Sequence, residues 1–148
     1  FLASDAGGLI PLYWDMQGCV SYADLGRCLA DAVRDHLVRF APLGLSPALA
    51  DEQDALTLLT HVRRLAVRAN GELLLLCDEP TGALDYETAR GMLSLLQKIN
   101  SDFGTTILMV THNTAISGMA NKVYKLRDGE IVETIRHDET VAAERIEW

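Results

Sequence analysis

A chain of 148 residues is one domain's worth, able to bury roughly 70% of its unfolded surface. With 49% hydrophobic and 23% charged residues it has the composition of a soluble globular protein. No apolar run approaches the ~20 residues of a membrane span, and a formal net charge of −8 excludes a general nucleic-acid groove, which needs clustered Lys and Arg. Phe1-Leu2-Ala3 is not a signal peptide. Without an initiator Met, the N-terminus is expected to be a processed or a cut end. Cys19, Cys28 and Cys77 lack Cys-x-x-Cys spacing and nearby His, which argues against zinc, for reduced thiols and for the cytoplasm.

Leu9–Trp14 is a short apolar, aromatic run ending at Asp15, read as a strand in which Pro11 suits an edge or a start. Ser21 is a predicted N-cap, with Asp24 three residues on. It opens a helix that places Leu25, Cys28, Leu29, Ala32, Val33 and Leu37 on one face and ends near Phe40. From about Asp51 to Ala69, Leu56, Leu59, Val62, Leu65, Ala66 and Ala69 again keep helical spacing, and Asn70-Gly71 ends that helix.

The next stretch, Glu72 to Asp85, organises the chain. The run Leu73–Cys77 is wholly apolar and stops at Asp78 and Glu79, followed by Pro80 and Gly82. It reads as a strand buried on both faces that delivers two carboxylates to the carboxyl edge of a parallel sheet, where ligands of open α/β sheets bind. Adjacent acids there suit nucleotide hydrolysis, one in a Mg²⁺ shell and the other aimed at an attacking water.

Asp85 is a predicted N-cap for a helix carrying Ala89, Met92, Leu93, Leu96 and Ile99 inward, stopped by Asn100-Ser101 and Gly104. Thr105–Val110 is a second buried strand running into Thr111-His112-Asn113, and a short helix is expected around Thr114–Asn121. Val123–Arg127 and Glu130–Thr134 flank Asp128-Gly129, a hairpin signature. The tail from Arg136 reads as a short helix or a frayed end. The alternation predicts an α/β domain whose polar strand ends lie side by side. His36, His61 and His137 have no partner pattern and are taken as surface residues.

These residues resemble a family, the ATP-binding cassette (ABC) transporter ATPases, within them the group that includes lipoprotein-release and macrolide-export systems. Leu73–Glu79 is similar to the Walker B strand with its catalytic Glu, Ala83-Leu84-Asp85 to the D-loop, Val110–Asn113 to the switch-histidine loop, and Val123–Val132 to the closing hairpin. The resemblance covers residues 72–134. It implies a P-loop NTPase-like parallel sheet flanked by helices, with a C-terminal β-hairpin. It also implies ATP and Mg²⁺ as cofactors, Asp78 as the metal residue, and Glu79 and His112 as catalytic residues. His112 would also touch the γ-phosphate, and Asp85 would reach across a head-to-tail dimer. Implied partners are a second ATPase subunit or a phosphate-loop half, together with transmembrane permease subunits. The implied location is the cytoplasm, or the inner face of a membrane through the permease.

The departures are as informative. A cassette ATPase cradles phosphate with Gly-x-x-x-x-Gly-Lys-Ser/Thr, yet the first lysine in this chain is Lys98. The phosphate-binding loop is therefore missing upstream of Glu72. Gly7-Gly8 reads as a flexible turn, and the Leu-Ser-Gly-Gly signature is absent, the corresponding stretch being Asp54–His61. Gln17 is not in a Q-loop context. Residues 1–71 are unassigned, with a faint likeness to AAA-like or STAND ATPases. They hold one Ile, Ile10, and no Lys, which points to a junction near 72 within a single α/β domain. The leading reading is the catalytic half of an ABC ATPase, inactive alone. Two rivals are a non-hydrolysing interaction or regulatory module derived from an ATPase, and an SMC or DNA-repair type ATPase, which the lack of heptads and of a basic face disfavours.

Overall fold

The computed structural model describes residues 8–16, 22–36, 41, 44, 55–82 and 84–147. In chain order they form β1 (Leu9–Asp15), α1 (Tyr22–Asp35), α2 (Ala55–Arg68), β2 (Glu72–Asp78), α3 (Tyr86–Phe103), β3 (Thr106–Val110), a 3-10 turn (Thr114–Met119), β4 (Lys122–Arg127), β5 (Glu130–Arg136) and a last 3-10 turn (Ala143–Arg145). Ser21, Leu37 and the predicted helix end near Phe40, like Gly7 and Gln17, lie outside the described residues.

β1, β2 and β3 form a parallel sheet with β2 in the middle. Parallel neighbours need a crossover between them, here supplied by α1 and α2 before β2 and by α3 before β3. Strand alternation splits the sheet into two unlike faces. Leu12, Trp14, Leu73, Leu75 and Cys77, with half-buried Ile107 and Met109, pack with Leu29 and Val33 of α1, Leu58, Leu59 and Val62 of α2, and Met92, Leu96 and Ile99 of α3. The opposite face is the more open one: Tyr13 is 41% exposed, Leu108 50% and Val110 58%, while Pro11 on it is buried. Expected burial of both faces of β2 and β3 therefore does not hold. Leu74 and Leu76 are only half-buried, because the described helices all contribute to the core on one side.

The helix ends follow from local chemistry. Asn70 closes α2 in the left-handed region at φ 56, while Gly71 N–H donates to Ala66 O at 2.9 Å and Asn70 N–H to Val67 O at 3.0 Å. This is the paired bonding of a Schellman stop, with Asn where Gly is commonest. Ala69, predicted on the buried face, is instead exposed in this stop, and the buried Leu58 was not singled out by the spacing. α3 runs through Asn100 and Ser101 to its C-cap Gly104 at φ 61.

Asp128 (φ 52) and Gly129 (φ 82) form the turn of the predicted hairpin, with β4 and β5 antiparallel and a register shift between Lys125 and Leu126. The tail is not frayed. Ala143 and Ile146 are buried in a second small core with Leu93 and Ile116. Gln97 on α3 ties the tail twice, donating from Nε2 to Val141 O at 3.2 Å and accepting at Oε1 from Ala143 N–H at 3.0 Å.

All three histidines taken as surface residues are half-buried, and two of them are hydrogen-bonded to backbone carbonyls. His36 Nδ1 bonds Ala32 O at 2.8 Å and His137 Nδ1 bonds Ala120 O at 2.7 Å, both half-buried. Cys77 is a free, buried thiol whose pKa burial pushes up to about 12. Cys28 is disulfide-bonded, so the expectation of reduced thiols fails there. No helix among the described residues is long and apolar enough to cross a membrane.

Candidate functional site

Register places three strand ends at one level, since Asp78 of β2 pairs with Asp15 of β1 on one side and with Val110 of β3 on the other. Tyr13, two residues back from Asp15, has its phenol pKa raised, first by loss of solvent and then by the charges of Asp15 and Asp78. Both carboxylates thus act on one patch of the more open face.

Glu79 begins where the ladder ends. Its N–H still donates to Val110 O at 2.9 Å, and its own carbonyl accepts from Gly82 N–H at 3.1 Å, so the chain turns back over residues 79–82. The turn holds Glu79 at φ 44, a region that costs a non-glycine residue roughly 1–2 kcal/mol. Pro80 follows at a position whose amide the ladder no longer needs.

The carboxylate of Glu79 faces the end of β3. Oε1 accepts from His112 N–H at 3.0 Å and pairs with His112 Nδ1 at 2.8 Å, and Oε2 accepts from the Thr111 hydroxyl at 3.3 Å. The nitrogen facing a carboxylate carries the proton, which leaves Nε2 of the 84% exposed imidazole pointing away from the pair. Thr111 Oγ1 in turn accepts from Asn113 N–H at 3.1 Å, and Asn113 Oδ1 caps the following 3-10 turn through Ala115 N–H at 3.0 Å. One short polar loop therefore fixes both oxygens of Glu79. A carboxylate has about four acceptor positions. Oε1 has used its two, so the position left open for a further donor is on Oε2.

The same contacts hold the Glu79 pKa below its ordinary value, the His112 side-chain bond contributing most and desolvation opposing it. Stability from a depressed carboxyl is present above the unfolded value, about 4.3 for Glu, and is lost as pH falls through the lower folded value. Carbon-detected NMR titration of the Glu79 carboxyl is expected to give a midpoint below about 4.3. His112→Ala should move that midpoint upward, and an unchanged midpoint would show that the contact does not persist in solution.

Asp85 is placed differently. It is the N-cap of α3, accepting from Thr88 N–H at 3.1 Å and from Thr88 Oγ1 at 2.7 Å, and the Thr88 hydroxyl is the main cause of its lowered pKa. No hydrogen bond joins it to the Glu79–His112 pair among the described residues. Asp78, Glu79 and His112 thus gather at one edge while Asp85 stands apart at the head of α3. Thr111 was visible as part of a polar run, but nothing in the spacing marked it as the residue linking Glu79 to the capped turn. The left-handed backbone of Glu79 carried no signal at all.

Could these residues hold a metal? Among the described residues no group of three His, Cys, Asp or Glu side chains could enclose one. Mg²⁺ does not require such a cage, being held commonly by one or two carboxylates together with substrate phosphates. The half-buried oxygen donor Asp78 fits that partial role.

No protein-family model matches the chain. It is 54% identical over 59 residues to an ABC transporter ATP-binding protein of Mycoplasma pneumoniae, a match covering 40% of this chain and 17% of that protein. It is 32% identical over 117 residues to the macrolide export ATP-binding/permease protein MacB of Rhodopirellula baltica, covering 78% of this chain and 17% of the relative. The second match spans more than the segment from Glu72 to the end of the chain could supply, so it reaches into the unassigned residues upstream. Among solved structures, a dimeric ATP-binding cassette in a post-hydrolysis state, bound to ADP and phosphate, matches at a TM-score of 0.48 and 18% identity, covering 87% of this chain and 63% of that one. The chain is related to the ATP-binding proteins of ABC transporters and spans 17% of the length of each of these two relatives.

Proposed function

We propose that this chain carries the water-activating half of an ABC transporter ATPase site and works only where a phosphate-binding loop is supplied by another segment or subunit. The observation that carries the reading is the anchoring of Glu79 by Thr111 and His112 at the end of a parallel sheet. A bound Mg²⁺ would supply charge neutralisation for transferring phosphate. Asp78 would hold that ion, directly or through water. Glu79 would receive the attacking water at the open position on Oε2 and orient it. His112, with Nε2 directed outward, would meet the γ-phosphate while its Nδ1 holds Glu79. Asp85 would cap α3 and face a second copy of the site across a dimer. Permease subunits and a place at the membrane face follow from the relatives' names. The retained Glu79–His112 contact favours this reading over a module that never hydrolyses ATP, for which neither residue has a role.

Phosphate contacts supply much of the affinity for a nucleotide, and the sequence lacks the lysine-bearing loop that makes them. The isolated chain should therefore show no hydrolysis above buffer in a phosphate-release assay with Mg-ATP. Metal-dependent turnover that disappears in Glu79→Gln would mean that the site is complete as it stands.

A further inference from the structure

The described positive charge ahead of β2 is concentrated on α2. This 14-residue helix carries Arg63, Arg64, Arg68 and His61 and no acidic residue, in a chain of net charge −8. Arg64 and Arg68, four residues apart, share one side with His61, while Arg63 lies off it. His61, Arg64 and Arg68 line, with Leu65 and Gly44, a cavity of about 240 Å³.

Gly44 forms the far wall. It closes a turn through its N–H to Ala41 O at 3.0 Å and adopts φ +99, which a side chain would strain, with the position of its absent Cβ 3.8 Å from Leu65 Cδ2. Leu65 is buried and forms the floor, while His61 is half-buried and the two arginines are exposed. Like charges at the spacing of Arg64 and Arg68 on a helix repel. Arg68 in the last turn is welcomed by the helix dipole, but Arg64 has no such compensation. None of the three makes an ion pair or side-chain hydrogen bond among the described residues, although exposed arginines elsewhere in the chain do, such as Arg27 with Asp24.

We propose that this cavity is an anion site, taking a phosphate or diphosphate group between the guanidinium groups of Arg64 and Arg68, with His61 at its rim. Paired guanidinium forks match phosphate oxygens in geometry as well as charge. A small anion suits the place, since the stretch from residue 61 to 68 runs only about 10 Å along the helix axis and, among the described residues, the rest of the lining is the neutral Gly44 and Leu65. The site is separate from the strand-end carboxylates. α2 leads into β2 at Glu72, so Arg68 lies toward the amino end of the strand that carries Asp78 at its other end. The inference therefore does not depend on the hydrolytic reading.

The test is calorimetric titration of the whole chain with inorganic pyrophosphate in Mg²⁺-free, low-salt buffer. Saturable binding that weakens with added salt is expected. Arg64→Gln/Arg68→Gln should weaken it by about tenfold or more, the loss expected from removing charge-assisted hydrogen bonds. Arg63→Gln, outside the cavity lining, should leave it within about twofold of the native chain, since it removes no contact to the anion. The single change Arg64→Gln should give an intermediate loss, which keeps the test open if the double variant fails to fold. Absence of saturable binding to the native chain, or equal binding by the native and Arg64→Gln chains, would overturn the site.

Discussion

Glu79→Gln, placed in the protein with its phosphate-binding loop supplied, is expected to slow ATP turnover by roughly 10²- to 10⁴-fold, the range of a positioned general base, while leaving bound ATP in place. The amide preserves the size of the side chain and still offers one oxygen. What it loses is the charge that draws in His112 and the lone pair on Oε2 left for water. Single-turnover measurement separates the steps, with nucleotide retained on filters and phosphate release nearly abolished. If phosphate release proceeded at the native rate, Glu79 would not be the residue that handles water. His112→Ala should act on the same step through a different cause, freeing the Glu79 carboxylate to take other rotamers.

The second large effect is structural. Leu75→Ala is expected to lower the unfolding free energy by about 2–5 kcal/mol, a large share of the 5–15 kcal/mol typical of native domains. Leu75 is 0% exposed at the middle of the middle strand, flanked in register by Leu12 and Ile107. Packing on both sides and from the helices above leaves the site little freedom to collapse. Leu76→Ala is the internal comparison. It removes the same atoms one residue along, but on the more open face, where the lost contacts are fewer and water can occupy the space. Urea unfolding followed by circular dichroism should show a midpoint shift clearly larger for Leu75→Ala at unchanged slope. Equal shifts would mean that the second face of β2 is covered in solution.

That contrast also marks where the sequence was readable and where it was not. The unbroken run Leu73–Cys77 announced a central parallel strand, and it is one. Yet a run apolar on both faces says only that burial is favourable, not that the described elements achieve it. Strand ends were legible because Asp78 and Thr111 each follow apolar residues abruptly, and a parallel pairing brings such ends to one edge. The bonding of Glu79 to Thr111 was not legible, since it depends on a left-handed backbone at a residue with no intrinsic preference for it, imposed by the turn closing on Gly82. Asp85 was readable as a cap because that role is local. His36 and His137 were misjudged because each bonds to a backbone carbonyl, a partner that exists at every position and leaves no pattern. The cationic side of α2 was in plain view as Arg63, Arg64 and Arg68, but only the cavity against Gly44 separated two of them from the third.

The double tie of Gln97 to the tail affects a residue far from it in sequence. By gripping Val141 and Ala143, Gln97 closes the intervening stretch into a loop that contains β3, His112 and the whole hairpin. Closing a loop removes much of the freedom its members would have on a single tether. Elements joined in this way tend to open together. His112 is therefore expected to open together with α3 and the C-terminal tail, so that slow exchange of its amide with solvent would be governed by undocking of Ile146 as much as by its own bond to Glu79.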